Sequence, residues 1–252
     1  MDADAKSRPA EAALAPASPA SGSRRRKLLP WLAAGVTLFA LAGATWFYWV
    51  GGRSDHSAVP VLGQTPHYQL INQNGEPVSS GDFAGKVQIV TALFPYCREL
   101  CPLVAANLAE FRDNVVRASD LEGRVVFVFF NVAPGDAGPA DMRAFLKQYG
   151  WNPDDPAIQF LTGSPEEIRR VVQGGFHLFY ERTKAGAEEE GARFLIENPL
   201  ADRVKPDFDV AHADLVELVD GRGRVRQIFS SGTRIDDMRL RSAIVPLIAG
   251  SK

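Results

Sequence analysis

Two cysteines four residues apart are the residues of this chain best suited to chemistry. Cys97 and Cys101 are the only cysteines among its 252 residues. A fold built on disulfides needs more, and a bridge closing so short a loop would constrain the unfolded chain only slightly. Cα atoms four residues apart in a helix are ~6 Å from each other, within the span of a disulfide. The pair can therefore chelate one metal ion or act as a redox pair. A static disulfide, or two buried thiols, is the alternative.

The residues around the pair predict reactive thiols. A nearly continuous apolar run at 87–94 predicts a strand buried on both faces, and helical periodicity follows Pro102. Cys97 and Cys101 thus lie in the loop between the carboxyl end of a strand and the start of a helix. Unpaired N–H groups and the positive end of the helix dipole favour a thiolate there, and the charge of Arg98 adds to this effect. A nucleophile or a metal ligand requires such a lowered thiol pKa.

The histidines offer a further ligand. Two thiolates leave a copper ion under-coordinated, and imidazole is the usual supplement. Of the four histidines, His56 and His67 are predicted to be exposed, and His177, among aromatic residues, is predicted to pack. His212 precedes the apolar strand 215–219, and in a thioredoxin fold the loop before that strand lies beside the dithiol. His212 is therefore the candidate third ligand, with a role outside the site left open.

Apolar patterning predicts a mixed α/β domain with a thioredoxin-like fold and an N-terminal hairpin. The hairpin turn is Asn74-Gly75. Downstream, strands alternate with helices, which implies a parallel sheet covered on both faces, and an antiparallel hairpin and a helix begun by Thr233 close the chain. The polar segment 181–207 is predicted to be an insertion. The predicted strands are 87–94, 125–132, 158–161, 215–219 and 225–229, and helical patterns follow Pro102 and cover 142–149, 165–173 and 240–248.

The first 64 residues predict an anchored, exported domain. Residues 1–27, rich in Ala, Pro and Ser, are predicted to be a disordered cytoplasmic tail ending in Arg24-Arg25-Arg26-Lys27. Residues 28–50 carry no charge and are long enough to form a transmembrane helix, with the basic cluster on the cytoplasmic side. A linker, 51–64, leads to the folded domain, 65–252. A cleaved signal peptide is the alternative to the anchor. Both place the domain outside the cytoplasm, and the anchor suits a bacterial inner membrane with the domain in the periplasm.

The composition is that of an ordinary globular protein and argues against nucleic acid binding. The net charge is -2 and the isoelectric point is near 6.1, so no basic excess is present to hold a phosphate backbone. The length suits one domain with additional segments, because domains typically span ~100–200 residues.

Two segments carry the motifs of a known family. They read Phe94-Pro95-Tyr96-Cys97-Arg98-Glu99-Leu100-Cys101-Pro102 and, far downstream, Asp209-Val210-Ala211-His212-Ala213. They resemble the Sco/SenC family, the copper proteins of cytochrome c oxidase assembly, and the resemblance extends over residues 60–250. It implies that Cys97, Cys101 and His212 bind copper, as Cu(I) or Cu(II). It also implies a partner, oxidase subunit II or a similar copper protein, which receives copper or has its cysteines reduced.

The chain departs from the usual pattern of that family in four places. Arg98-Glu99 stand where Pro-Asp is usual, Ala133-Pro134 where Asp-Pro is frequent, and Ala211 where an Asp often precedes the histidine. The segment 181–207 is also longer than usual. These departures keep the three candidate ligands and remove acidic neighbours. They therefore bear on redox potential, partner choice and metal affinity more than on the fold.

Two functions compete on this evidence. A copper chaperone would use the thiolates, which soft Cu(I) prefers, and the imidazole, which also serves Cu(II). An extracytoplasmic thiol–disulfide oxidoreductase would need only the redox pair Cys97 and Cys101, although most such enzymes have two residues between the cysteines rather than three. Zinc would also suit two cysteines and a histidine, and no residues support a peroxidase. The resemblance favours a metallochaperone, with thiol–disulfide reduction as the alternative.

Overall fold

The computed structural model describes residues 59–98, 100–184, 198–204, 206–212 and 214–250, with residues 41, 43 and 45, and it gives His212 by its backbone alone. The chain divides into two units, Met1–Ser54 and Asp55–Lys252. In the first unit, residues 41, 43 and 45 are helical. The predicted tail, 1–27, and the rest of the predicted anchor, 28–50, lie outside the described residues. None of the helices in the described part combines the length and apolar character that crossing a membrane requires.

The second unit alternates strands and helices along the chain. Its strands are β1 Gly63–Gln64, β2 Gln69–Ile71, β3 Pro77–Ser79, β4 Val87–Leu93, β5 Val125–Asn131, β6 Ile158–Leu161, β7 Tyr180–Lys184, β8 Phe208–His212, β9 Val216–Val219 and β10 Arg224–Phe229. Its helices are α1 Leu100–Phe111, α2 Pro139–Gln148, α3 Pro165–Val172, α4 Pro199–Val204 and α5 Asp237–Ala249. A wider helical turn, Arg112–Val116, extends α1.

Six of the strands form one sheet, in the order β1-β10-β9-β4-β5-β6. Every residue of β4 and β5 is buried, as their apolar runs predicted. The two strands pair in parallel along their whole length, and β6 extends the parallel part. On the other side of β4, the strands β9, β10 and β1 pair antiparallel. The carboxyl ends of β4, β5 and β6 therefore lie along the same edge of the sheet.

Aromatic contacts show that both faces of the sheet are covered, as the alternation of strands and helices predicted. On one face, Trp151 contacts Phe127 and Phe129 of β5, with ring centroids 5.0 and 5.2 Å away, and its indole N–H donates to the Ala105 carbonyl of α1 at 3.0 Å. On the other face, Phe130 contacts two rings, Tyr68 beside β2 and Phe176 after α3. The predicted hairpin is present as the separate pair β2–β3, with Gly75 in its turn at φ 78°.

Two helices begin at residues other than those predicted. The helix α1 begins at Leu100, so Cys101 lies in its first turn and Pro102 is its third residue rather than its first. Proline fits there because the N–H groups of the first turn have no partner within the helix. The closing helix α5 begins at Asp237, not at Thr233, because the carboxylate of Asp236 accepts the Arg239 N–H at 3.0 Å and caps it.

The segment 181–207, predicted to be an insertion, begins within β7 and ends directly before β8. The strands β7 and β8 pair antiparallel in a sheet of their own, from Tyr180 opposite His212 to Lys184 opposite Phe208. The helix α4 precedes β8. His212 therefore ends a strand of this hairpin and does not simply precede β9. Residues 185–197, with the predicted charge run at 188–190, lie outside the described residues.

The folded unit begins earlier than residue 65, where its start was predicted. Gly63 and Gln64 form β1, which pairs with β10. Before β1, the buried guanidinium of Arg226 donates to the backbone carbonyls of Val59 and Pro60 and, at 2.7 Å, to the carboxylate of Asp220. Asp220 belongs to the β9–β10 turn, in which the Gly221 carbonyl accepts the Gly85 N–H at 2.8 Å just before β4. The clamp formed by Arg226 and Asp220 thus holds the incoming chain at the edge where β4 begins.

Candidate metal centre

The cysteine loop connects the end of β4 to α1 at the carboxyl edge of the sheet. A turn follows the strand, closed by the Cys97 N–H, which donates to the Phe94 carbonyl at 3.0 Å. Cys101 lies in the first turn of α1, and its sulfur accepts the Phe94 N–H at 3.4 Å. Both cysteines are reduced thiols, 3% and 0% exposed. The Phe94 N–H and the first turn of α1 thus hold the sulfur of Cys101, and the reactivity of the two thiols stays a prediction.

Arg98, predicted to support the thiolates, forms an ion pair with Asp202 of α4 instead. Their nitrogen and oxygen atoms are 2.8 Å apart, and the two side chains are 39% and 57% exposed. An ion pair this exposed contributes at most ~1 kcal/mol to stability. It nevertheless joins the cysteine loop to α4, two elements that are a hundred residues apart in sequence.

Asn198, which no sequence pattern had indicated, makes a second connection between the same two elements. Its side chain is buried, and its amide group donates to the carbonyls of Pro95 and Cys97 at 3.0 and 2.7 Å. Its oxygen accepts the N–H groups of Leu200 and Ala201 at the start of α4. A single asparagine between a polar segment and a proline carries no distinctive signal, so only the structure reveals this role.

An aromatic cluster fastens the β7–β8 hairpin to the cysteine loop. The ring of Phe94 contacts Phe208 of β8 at 5.2 Å and Tyr96 at 5.5 Å between centroids. The guanidinium of Arg182 in β7 lies 3.5 Å from the Phe208 ring and forms an ion pair with Asp136. Packing therefore holds the hairpin to the cysteine loop, and the ion pair holds it to the loop between β5 and α2.

The two tyrosines near the loop remain neutral at ordinary pH. Burial raises the pKa of Tyr96 to about 12, and the hydrogen bond with Asp141 adds to this effect. Burial also raises the pKa of Tyr149 to about 12; the hydrogen bond with Gln148 opposes the shift, and negative charge on Cys97 and Cys101 contributes to it. Tyr149 thus senses the charge of both sulfurs, although neither phenol can act as a base near neutrality.

The stretch that contains His212 is attached to β4 and to the cysteine loop by residues on either side of the histidine. On one side of it, Phe208 contacts Phe94 of the cysteine loop. On the other side, the Leu215 carbonyl accepts the Thr91 hydroxyl of β4 at 2.8 Å. Two tethers to β4 and its following loop therefore hold the stretch that contains His212. The side chains that the structure describes include no cluster of three or more His, Cys, Asp or Glu that could hold a metal, and the imidazole of His212 is not among those side chains.

Two of the remaining histidines, His67 and His177, are among the described residues. His67 is exposed, as predicted. His177 is also exposed, so the prediction that it packs is wrong; its backbone has φ 57°, which turns the chain between α3 and β7. His56 lies outside the described residues.

Glu217 is an isolated buried carboxyl group in β9, opposite Val90 of β4. It is 1% exposed, and its Oε2 atom has no hydrogen-bond partner within the described part of the chain. Burial raises the pKa of Glu217 to about 8. A single charged residue inside the apolar run 215–219 was the sequence signal for it.

Comparison with known proteins identifies matching sequences along most of the chain. The family model described as SCO1/SenC matches residues 62–244. Protein sco1 of Schizosaccharomyces pombe is 25% identical over 172 residues, which are 68% of this chain and 56% of that protein. Protein SCO1 homolog 1, mitochondrial, of Arabidopsis thaliana is 29% identical over 133 residues, 53% of this chain and 36% of that protein. The chain thus matches about half, or less, of the length of these relatives.

Solved structures share the thioredoxin-like α/β fold. A SCO1/SenC family lipoprotein from Bacillus anthracis is 23% identical with a TM-score of 0.59, covering 74% of this chain and 96% of that one. Arabidopsis thaliana ScoI with copper bound is 24% identical with a TM-score of 0.56, covering 73% and 98%. BsSco is 20% identical with a TM-score of 0.57, covering 75% of this chain and 97% of that one. It is described as a member of the Sco family of cytochrome c oxidase assembly proteins in which a disulfide switch was identified. At these identities the likeness shows the fold alone.

Proposed function

As the chain belongs to the SCO1/SenC family, we propose that it is a membrane-anchored copper chaperone assisting assembly of the copper site of cytochrome c oxidase. Cys97, Cys101 and His212 would hold the copper. One observation carries the proposal: two buried thiols lie in the turn before α1 and in its first turn, and the strand that ends at His212 packs against the same loop. The cargo would pass to oxidase subunit II or a similar copper protein.

The donor set fits copper. Soft Cu(I) prefers thiolate sulfur, and an imidazole supplies a ligand that Cu(II) also accepts. When Cys101 binds copper as a thiolate, the Phe94 N–H would stabilise its negative charge, because the Phe94 nitrogen lies 3.4 Å from the sulfur. A related structure, Arabidopsis thaliana ScoI, is described with copper bound, which supports the same cargo here.

A thiol–disulfide oxidoreductase is the second candidate. The same two thiols, placed at a helix N-terminus, could reduce a disulfide of a partner protein. The disulfide switch described for BsSco supports redox chemistry at this site. The two candidates differ in one requirement, because thiol exchange has no need of an imidazole at position 212.

A substitution of His212 therefore tests the proposal. Loss of a residue that hydrogen-bonds to a metal ligand typically lowers metal affinity ~10–100-fold. We expect His212→Ala, which removes a ligand itself, to lower copper affinity by more than this, with the larger loss for Cu(II). The reducibility of the Cys97–Cys101 pair should change much less. Copper titration and a thiol-exchange assay on the purified domain would measure both quantities.

His67→Ala is the matched control, because His67 is exposed and away from the loop. His177 is less suitable, since its positive φ would strain an alanine. If His212→Ala bound copper as tightly as the wild type, His212 would not be a copper ligand. The thiol–disulfide oxidoreductase would then be the preferred function.

A further inference from the structure

We infer that Asn198 is a positioning residue for Cys97, because it fixes the cysteine loop to the start of α4. Its side-chain amide donates two hydrogen bonds to that loop, to the carbonyls of Pro95 and Cys97. The inference rests on the proposed function only in treating Cys97 as a working thiol.

The position of Asn198 suits this task because its own side chain is held from three directions. Its oxygen accepts the N–H groups of Leu200 and Ala201 at 3.1 and 3.3 Å, which fixes it to the start of α4. The same oxygen accepts the Gln148 amide at the end of α2, at 3.2 Å. Gln148 also donates to the hydroxyl of Tyr149 at 2.8 Å. A buried amide with all its groups satisfied in this way is a rigid attachment point.

The two cysteines depend on this attachment to different degrees. Cys101 belongs to α1 and receives the Phe94 N–H, so the helix and β4 hold it without Asn198. Cys97 lies between the turn and the helix; its N–H donates to the Phe94 carbonyl, and its own carbonyl accepts an amide N–H of Asn198. Loss of the Asn198 amide removes a hydrogen bond at Cys97 itself, so Cys97 should respond more strongly than Cys101.

Alkylation of the reduced protein by iodoacetamide, without copper, measures this difference. The thiolate displaces iodide, and peptide mass spectrometry gives the rate at each cysteine separately. We expect Asn198→Ala to raise the Cys97 rate by about 30-fold, which corresponds to two ordinary hydrogen bonds, or ~2 kcal/mol. The Cys101 rate should rise far less. Asn198→Asp, which keeps the oxygen that caps α4 and loses the amide donors, should behave like Asn198→Ala.

Asp202→Ala is the control from the same helix, because it removes only the exposed ion pair with Arg98. We expect it to change the Cys97 rate by less than ~5-fold. Unchanged Cys97 rates in both Asn198 variants would overturn the inference, and so would equal acceleration of Cys97 and Cys101, since general loosening of the fold exposes both. Because copper is absent, a protein that failed to bind copper could still confirm the role of Asn198.

Discussion

Cys97 and Cys101 are both deeply buried, and the sulfur of Cys101 accepts the Phe94 N–H. A metal needs these sulfurs deprotonated and unbridged, so oxidation and copper binding exclude each other. We therefore expect the Cys97–Cys101 disulfide form not to bind Cu(I), while the reduced form does. Parallel copper titrations of the oxidised and the reduced protein would measure this, and equal binding would remove both cysteines from the site.

Because the carboxyl group of Glu217 is buried, its contribution to the stability of the folded protein should depend on pH. Its pKa is about 8 in the folded protein and near 4.5 when exposed, so the folded state holds the proton more tightly. Below pH 4.5 the group is protonated in both states and has no effect; as pH rises towards 8, the unfolded state gains a solvated charge and folding loses stability. Above pH 8 the loss is complete.

Glu217→Gln removes this loss. The free energy of unfolding of the variant, relative to the wild type, should increase between pH 5 and pH 8 by up to ~1.4 kcal/mol per pH unit. Denaturant unfolding at pH 5, 6.5 and 8 would measure it. A difference that does not change with pH would show that Glu217 is charged in the folded protein.

A reactive site can be recognised from the sequence when a rare residue type occurs twice at a spacing that lets both side chains act together. Cys97 and Cys101 met that condition, and the structure places Cys97 in the turn before α1 and Cys101 in the first turn of that helix. Asn198 did not, because its partners are about a hundred residues away and asparagine is common in loops. His212 was selected by its place before an apolar strand, and its role as a ligand stays a prediction.

Among the secondary-structure elements, the connection between β8, which ends at His212, and β9 is attached to the segment before α5. The carboxylate of Asp214 accepts the N–H and the hydroxyl of Thr233, at 3.2 and 2.8 Å. A Cβ atom on the neighbouring Gly232 would lie 2.8 Å from Asp214 Oδ1 and 3.0 Å from a methyl group of Val216. Both distances are too short for an ordinary contact, so a larger residue must displace the loop.

We expect Gly232→Ala to lower the free energy of unfolding by ~1–3 kcal/mol and to weaken copper binding as the loop shifts. Thermal unfolding and copper titration would measure the two effects. Gly81→Ala is the matched control, since Gly81 also lies in a short 3-10 segment and its Cβ would meet only the Ser79 Oγ, at 3.7 Å. If the two variants behaved alike, the loop would not depend on Gly232.

Elements were predictable from sequence where burial was complete. The strands β4 and β5 are buried at every residue, which gives a continuous apolar run. In β7 no residue is fully buried, and its sequence, YERTK, has no apolar alternation, so the β7–β8 hairpin was missed. The connection between Arg98 and Asp202 joins two of the departures from the usual family pattern, and only the fold could reveal that they meet.

For the whole molecule, the anchor proposal makes a prediction about topology. The uncharged segment 28–50 follows the basic cluster 24–27, so the domain should lie on the outer side of the bacterial inner membrane. A reporter that is active only in the periplasm, fused after Lys252, should be active. Activity of a cytoplasmic reporter at the same position would overturn the proposed localisation.

Residues Val59 and Pro60, which lead into the domain, and the cysteine loop lie near opposite ends of β4. The clamp formed by Arg226 and Asp220 holds Val59 and Pro60 near the start of β4, and the cysteine loop follows the other end of that strand. At ~3.3 Å per residue the two ends are roughly 20 Å apart. A protein that approaches the cysteine loop would therefore meet the domain about one length of β4 away from Val59 and Pro60.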